Sequence, residues 1–248
     1  MLIDTHSHLN FEAFENDLDE VVSRCISDDV WVVNAGSQYN TSKKAIEIAK
    51  KNKIMFAAVG LHPIHARDDF NVDDYRNLAK SDKVVAIGEI GLDRYKDYGQ
   101  FIDKQKEIFV QQLNLAKELN LPAIIHCRMA RNDLLEILQN EKYKIKGVIH
   151  CFTGTWEEAK KYLDLDFYLG FNGIMYKFDL KEVIEKTPLD RILIETDCPY
   201  LTPPQAGVER NEPIFVKYIA QEIAKIRKIS FQEVAVATTK NAKNLFKM

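Results

Sequence analysis

Short apolar runs alternate along this chain with longer stretches in which apolar residues recur at helical spacing. Eight runs read as strands: 2–5, 30–34, 55–59, 84–88, 123–126, 148–151, 167–170 and 192–195. They are rich in Val and Ile and show little polar alternation, as expected of parallel strands buried on both faces. Amphipathic stretches predict helices over 17–28, 41–52, 100–120, 132–140, 156–165 and 179–186, with two more, 212–227 and 231–246, after the last strand. Within 105–119, for example, Ile108, Phe109, Leu113, Leu115, Ala116 and Leu119 gather toward one helical face. Eight β units alternating with α units over 248 residues predict an α/β fold, a closed (β/α)8 TIM barrel rather than a doubly wound sheet. One domain spanning 1–248 is expected; the Pro/Gly-containing segment 203–207 reads as a loop, because the apolar helices after it need the barrel to cover them.

Composition narrows the class of function. Hydrophobic residues at 46% and charged residues at 29% are those of an ordinary soluble globular protein. A net charge of -3 argues against a protein that coats duplex DNA. Attraction to nucleic acid would have to be local, from bound cations and a few arginines. Cys25, Cys127, Cys151 and Cys198 form no C-x-x-C pair, which predicts reduced thiols. The N-terminus has no basic region followed by an apolar stretch, and no apolar run approaches the ~18 residues of a membrane span. A cytoplasmic protein is expected, with no membrane partner and no stable protein partner implied.

The candidate chemistry sits at the strand ends. Five of the six histidines stand at or just beyond the end of a predicted strand. His6 and His8, two residues apart, point the same way. His62 follows the third strand, Glu89 closes the fourth, His126 closes the fifth, His150 lies near the end of the sixth, and Asp197 follows the eighth. The C-terminal strand ends of such a barrel converge on one mouth. A lone buried histidine is often a packed core residue, but imidazoles and acids at successive strand ends are costly to bury without a purpose. Four imidazoles (His6, His8, His126, His150) and two carboxylates (Glu89, Asp197) exceed the roughly three protein ligands of a mononuclear catalytic site. They suit two divalent cations: His6, His8 and Asp197 on one, His126 and His150 on the other, and Glu89 bridging. Mg, Mn and Zn are all compatible with this donor set.

Asp4-Thr5-His6-Ser7-His8, Gly60-Leu61-His62-Pro63, Gly88-Glu89-Ile90-Gly91-Leu92-Asp93, His126-Cys127-Arg128, His150-Cys151-Phe152-Thr153-Gly154 and Glu195-Thr196-Asp197-Cys198-Pro199-Tyr200-Leu201 occur in this order, followed by Arg210-Asn211-Glu212-Pro213. Taken together, these motifs resemble the TatD family of metal-dependent deoxyribonucleases, a branch of the amidohydrolase-like barrels, over almost the whole chain. The resemblance implies a (β/α)8 fold and divalent metals on His6, His8, Glu89, His126, His150 and Asp197. It also implies a Mg-stimulated nuclease, often acting from a 3′ end. One position departs from the pattern: the residue after Arg128 is often acidic in this family and here is Met129.

The expected reaction is hydrolysis of DNA phosphodiester bonds by a two-metal-activated water, with single-stranded DNA or a chain end as substrate. Asp197 is expected to orient the water and accept its proton, Glu89 to bridge the metals, and His62 to donate to the phosphate or the leaving group. Arg128 shares strand parity with His126 and is assigned to a substrate phosphate, against a structural ion pair. Arg210 is assigned to a second phosphate, against a solvated loop charge. Asp93 is placed among the substrate-binding residues, with orientation of a ligand as the other reading. His65 reads as an ordinary loop residue, and Glu195 as buried with an unnamed partner. Cys127 and Cys151 should face the helices, and Tyr95, Tyr98, Tyr176 and Tyr200 lie near the mouth without an assigned contact. The rival readings are an amidohydrolase-like enzyme acting on an amide, ester or lactone, including an aminoacyl ester on nucleic acid, and a non-catalytic metal-binding protein.

Overall fold

Every apolar run forms a strand in the computed structural model, which describes residues 1–248 apart from the side chain of Glu141. The strands are β1 (Leu2–Ser7), β2 (Val30–Ala35), β3 (Met55–Val59), β4 (Val84–Asp93), β5 (Ala123–Arg128), β6 (Gly147–Ile149), β7 (Tyr168–Phe171) and β8 (Ile192–Ile194). They pair in chain order, all parallel, in one eight-stranded sheet. The sheet curls round until β8 meets β1. That seam is an isolated bridge between Ser7 and Cys198 and cross-links such as Thr5 Oγ1 donating to the Ile194 carbonyl at 3.0 Å.

The helices are α1 (Leu18–Ser27), α2 (Tyr39–Lys51), α3 (Val72–Leu78), α4 (Ile102–Leu119), α5 (Arg131–Leu138), α6 (Trp156–Asp164), α7 (Lys181–Lys186), α8 (Val216–Arg227) and α9 (Phe231–Phe246). Capping residues fix several of the starts. Thr155 and Glu158 cap α6 reciprocally, and Ser230 and Glu233 cap α9 in the same way, each such cap stabilising by about 1 kcal/mol. The sequence pattern misses α3, which has seven residues and buries only Tyr75, too little to make a stripe. The helices expected from 100 and 212 begin at Ile102 and Val216, because the residues before each wind as a tighter 3-10 turn.

Two apolar layers result. One lies between the strands and the surrounding helices. The other fills the barrel lumen with a residue from every strand: Ile3, Val33, Ala58, Val85, Ile124, Val148, Tyr168 and Leu193. Ala242, Leu245 and Phe246 of α9 join this layer and close the N-terminal end of the barrel. The lumen is therefore a packed floor, and polar side chains gather only above it. Among the described residues, no helix is long and apolar enough to cross a membrane.

Candidate metal centre

Local irregularities in the strands aim the polar side chains. At the end of β1, Asp4 Oδ1 accepts the Thr196 amide at 2.8 Å and the His6 amide at 3.3 Å, while Oδ2 accepts the Thr196 hydroxyl at 2.6 Å. The strand register shifts between Asp4 and Ser7, and His6 and His8 enter the centre together. Glu89 does not close the fourth strand as expected; β4 continues to Asp93, with its register shifted between Ile87 and Ile90 around the carboxylate. Gly91 is required there. Its φ is +143°, and a Cβ would lie 2.0 Å from the His126 carbonyl oxygen of β5. On β5 parity holds, so Ile124, His126 and Arg128 project to the same side. His150 follows β6 directly, and Asp197, with φ of 57°, follows β8 and donates its amide to the His6 carbonyl at 2.8 Å.

The structure brings the six predicted ligands into one buried cluster. His6 Nε2 lies 3.1 Å from His8 Nε2 and 3.3 Å from Glu89 Oε2, and His8 Nε2 lies 3.4 Å from Asp197 Oδ1. The other Glu89 oxygen, Oε1, lies 2.9 Å from His126 Nδ1 and 3.6 Å from His150 Nε2. The two oxygens of one carboxylate thus face two different sets of imidazoles. Ligand atoms about 2.0–2.2 Å from a shared tetrahedral ion stand roughly 3.3 Å apart, which is the spacing found here. Four overlapping groups are close enough to hold divalent cations: His6–His8–Asp197, His6–Glu89–His150, His62–Glu89–His126 and His150–Cys151–Asp197.

Hydrogen-bond partners test the fit. The His8 Nδ1–H donates to the Ala35 carbonyl at 2.9 Å, which leaves the Nε2 lone pair facing the cluster. His126 Nε2–H donates to Asp93 Oδ2 at 3.0 Å, which leaves Nδ1 facing it. His150 Nδ1 approaches Glu195 Oε1 at 2.8 Å, outside hydrogen-bond alignment, with Nε2 again toward Glu89. This is the imidazole–carboxylate or imidazole–carbonyl arrangement that raises ligand basicity in metal sites. His62 is built the opposite way. Its Nδ1 accepts the Ile64 amide at 3.2 Å, so the neutral ring carries its proton on Nε2, 3.2 Å from Glu89 Oε1. That ring presents a donor, not a lone pair, to the centre.

The field of the site favours positive charge. Burial opposes ionisation of Glu89, yet His62, His6, His150 and His126 hold it well below the usual carboxylate range. Asp197 is likewise lowered against burial, by His8, His150 and His6. Burial opposes protonation of His150, but Glu195, Glu89 and Asp197 push it up to about 10. For His62 burial prevails over Glu89 and pushes it down to about 4.

The cluster opens into a cavity of about 890 Å³. His62, Asp93 and Arg128 line it. Asp93 is occupied: Oδ2 takes His126, and Oδ1 accepts the Tyr95 amide at 2.7 Å. His65 lines the cavity too and shares a 2.8 Å hydrogen bond with Gln38. Tyr95, Tyr98 and Tyr200 reach the lining, whereas Tyr176 does not and donates to the Tyr218 carbonyl at 3.3 Å. Arg210 is not brought to the cavity. It is paired with both oxygens of Asp17, lies 3.1 Å from Glu212, and covers the Phe14 ring. Its charge is already matched, which corrects the expectation of a phosphate contact. Cys127 faces α6, with Sγ 4.0 Å from the Tyr162 hydroxyl, as strand parity predicts. Cys151 does not face the helices: β6 stops at Ile149, the residue has φ of 48°, and its thiol lines the cavity near His150 and Asp197. Two participants escaped the sequence reading. Asn172, buried after β7, donates to Glu195 Oε1 at 3.0 Å, and Phe11 stacks on His8 with ring centroids 4.4 Å apart. The only signal for Asn172 was a polar residue directly after an apolar strand.

Known proteins are similar to this chain in sequence and architecture. The family model described as TatD related DNase matches residues 3–247. The metal-dependent hydrolase YabD of Bacillus subtilis strain 168 is 44% identical over all of both chains. The 3′-5′ ssDNA/RNA exonuclease TatD of Erwinia tasmaniensis is 34% identical, again over 100% of each chain. Among solved structures, the TatD homolog YJJV of Escherichia coli K12 superposes with a TM-score of 0.92 at 27% identity, covering 100% of this chain and 98% of its own.

Proposed function

Because this chain belongs to the TatD family of metal-dependent hydrolases, we propose that it hydrolyses DNA phosphodiester bonds, removing nucleotides from the 3′ end of a single strand. The observation that carries this reading is Glu89, whose two oxygens each face a separate set of inward-directed imidazoles beneath a cavity of about 890 Å³. End polarity and strand preference are taken from the Erwinia relative. The four free cysteines support a reducing, cytoplasmic setting. We read 1–248 as one catalytic domain.

His6, His8 and Asp197 would hold one divalent cation, Mg, Mn or Zn, and His126 and His150 the other, with Glu89 between them. When bound, such ions lower the pKa of water and polarise the phosphoryl oxygen. Asp197, ionised and open to the cavity, orients the attacking water and accepts its proton. His62 remains neutral at physiological pH and offers its Nε2–H to the phosphate or the departing oxygen. Asp93 acts through His126, keeping the Nδ1 lone pair turned inward.

The test is end-labelled single-stranded DNA incubated with purified protein and Mg, Mn or chelator. A ladder shortened from the 3′ end and abolished by chelator is expected. Turnover of a simple amide or lactone with none of DNA would replace this reading with an amidohydrolase activity.

A further inference from the structure

Arg128 stands exposed at the rim of the cavity, with its guanidinium carbon 3.6 Å from the centroid of the Tyr95 ring. Among the described residues its guanidinium has no carboxylate partner. Two nearby arginines do: Arg94 is 2.8 Å from Asp133, and Arg131, which also lines the cavity, is 3.6 Å from Glu158. The Lys96 ammonium lies 5.1 Å from the same Tyr95 ring. This part of the mouth therefore carries positive charge that the protein itself leaves unmatched.

The placement follows from the strands. Asp93 of β4 pairs with Arg128 of β5, and the Arg94 amide donates to the Arg128 carbonyl at 2.9 Å, so Tyr95 comes to lie beside Arg128. Asp93 divides its oxygens between the two sides, taking the Tyr95 amide at 2.7 Å and His126 at 3.0 Å. A single buried carboxylate thus sets the ring that carries Arg128 and an imidazole of the metal centre. A guanidinium stacked on an aromatic face keeps its N–H edge free for a bidentate phosphate contact, and has already lost much of its rotational freedom. Across the barrel there is no matching free cation among the described residues that line the cavity. β1 lies four strands from β5, and the loop after it carries Glu12 and Glu15, the latter 2.8 Å from Lys44.

We propose that Arg128, seated on Tyr95, binds the phosphate adjoining the one being hydrolysed, so that the substrate chain leaves the centre over the β4–β5 rim and away from Glu12. Tyr95 is a positioning residue in this arrangement. The subsite rests on the nuclease reading above and adds to it a requirement for at least two consecutive phosphates.

Two substrates separate the roles: the p-nitrophenyl ester of thymidine 5′-monophosphate, which has one phosphate, and a short single-stranded oligodeoxynucleotide. For R128A the oligonucleotide KM should rise about 10–100-fold with kcat nearly unchanged, while the ester is hydrolysed as by wild type. The salt dependence of oligonucleotide binding, measured by anisotropy in chelator, should lose a slope of about 0.7. Y95F should match wild type, and Y95L should follow R128A part of the way. Equal impairment of R128A on both substrates would put the arginine on the scissile phosphate and overturn the proposal, as would no effect on either. Wild-type protein that hydrolyses the ester but neither binds nor shortens the oligonucleotide would instead remove the nuclease reading, and the subsite with it.

Discussion

At the scale of single residues, the direction in which each imidazole carries its proton separates ligand from donor. The Ala35 carbonyl and Asp93 can only accept, so His8 and His126 in their neutral form turn lone pairs inward. The Ile64 amide can only donate, so His62 must turn an N–H inward. His62→Gln is therefore expected to keep the full metal content while turnover falls about 10²–10⁴-fold, whereas His126→Gln loses one equivalent by elemental analysis. Loss of an ion from the His62 variant would make that ring a ligand. Asp197→Asn keeps the shape of the side chain and removes the charge. It should lower kcat by at least about 10³-fold with an unchanged circular dichroism spectrum; near wild-type turnover would exclude Asp197 as the proton acceptor.

At the scale of elements, the pairing of β4 with β5 carries the bridging carboxylate and its surroundings. It presents Glu89, Asp93, His126 and Arg128, and it depends on Gly91 passing close to the His126 carbonyl. Gly91→Ala puts a side chain where φ is +143° and the neighbouring backbone leaves no room. A cost of about 2 kcal/mol or more is expected, read as a Tm lower by roughly 4–8 °C, together with weaker metal binding. A variant with unchanged Tm would mean that β4 can slide without loss. Strand identity was legible because both faces of each strand are buried and apolar. The ends were not, because a carboxylate inside a strand, as at Glu89, looks in sequence like the place where the strand stops. Parity arguments succeeded where the strand is regular, as for His126, Arg128 and Cys127. They failed at Cys151, which lies beyond β6 in a left-handed conformation. Arg210 was misjudged because its partner Asp17 is 193 residues away, a contact that no local pattern encodes. The six proposed ligands were legible because burying imidazoles and acids together has few purposes other than holding a cation.

At the scale of the whole molecule, the proposed ligands run from His6 to Asp197 on β1, β4, β5 and the segments after β1, β6 and β8, so the complete centre exists only in the assembled barrel. At a concentration about 100 times the dissociation constant, one such ion stabilises by about 2.7 kcal/mol, a Tm rise of roughly 5–10 °C for a chain of this size. The effect must depend on pH. His150 is pushed up to about 10 from an ordinary value of 6.5. In the metal-free protein its stabilising contribution is complete below about pH 6.5 and is lost as pH rises through about 10. A cation takes the neutral ring and releases that proton, so its binding strengthens over the same interval. Both trends act in one direction: alkaline pH weakens the metal-free barrel and favours the loaded one. The Tm difference between Mn-saturated and chelator-treated protein should therefore widen steadily from about pH 6 to about pH 9. His150→Gln should flatten that dependence. A difference that stays constant or narrows over this range would mean that His150 does not exchange its proton for a cation, and would remove it from the proposed centre.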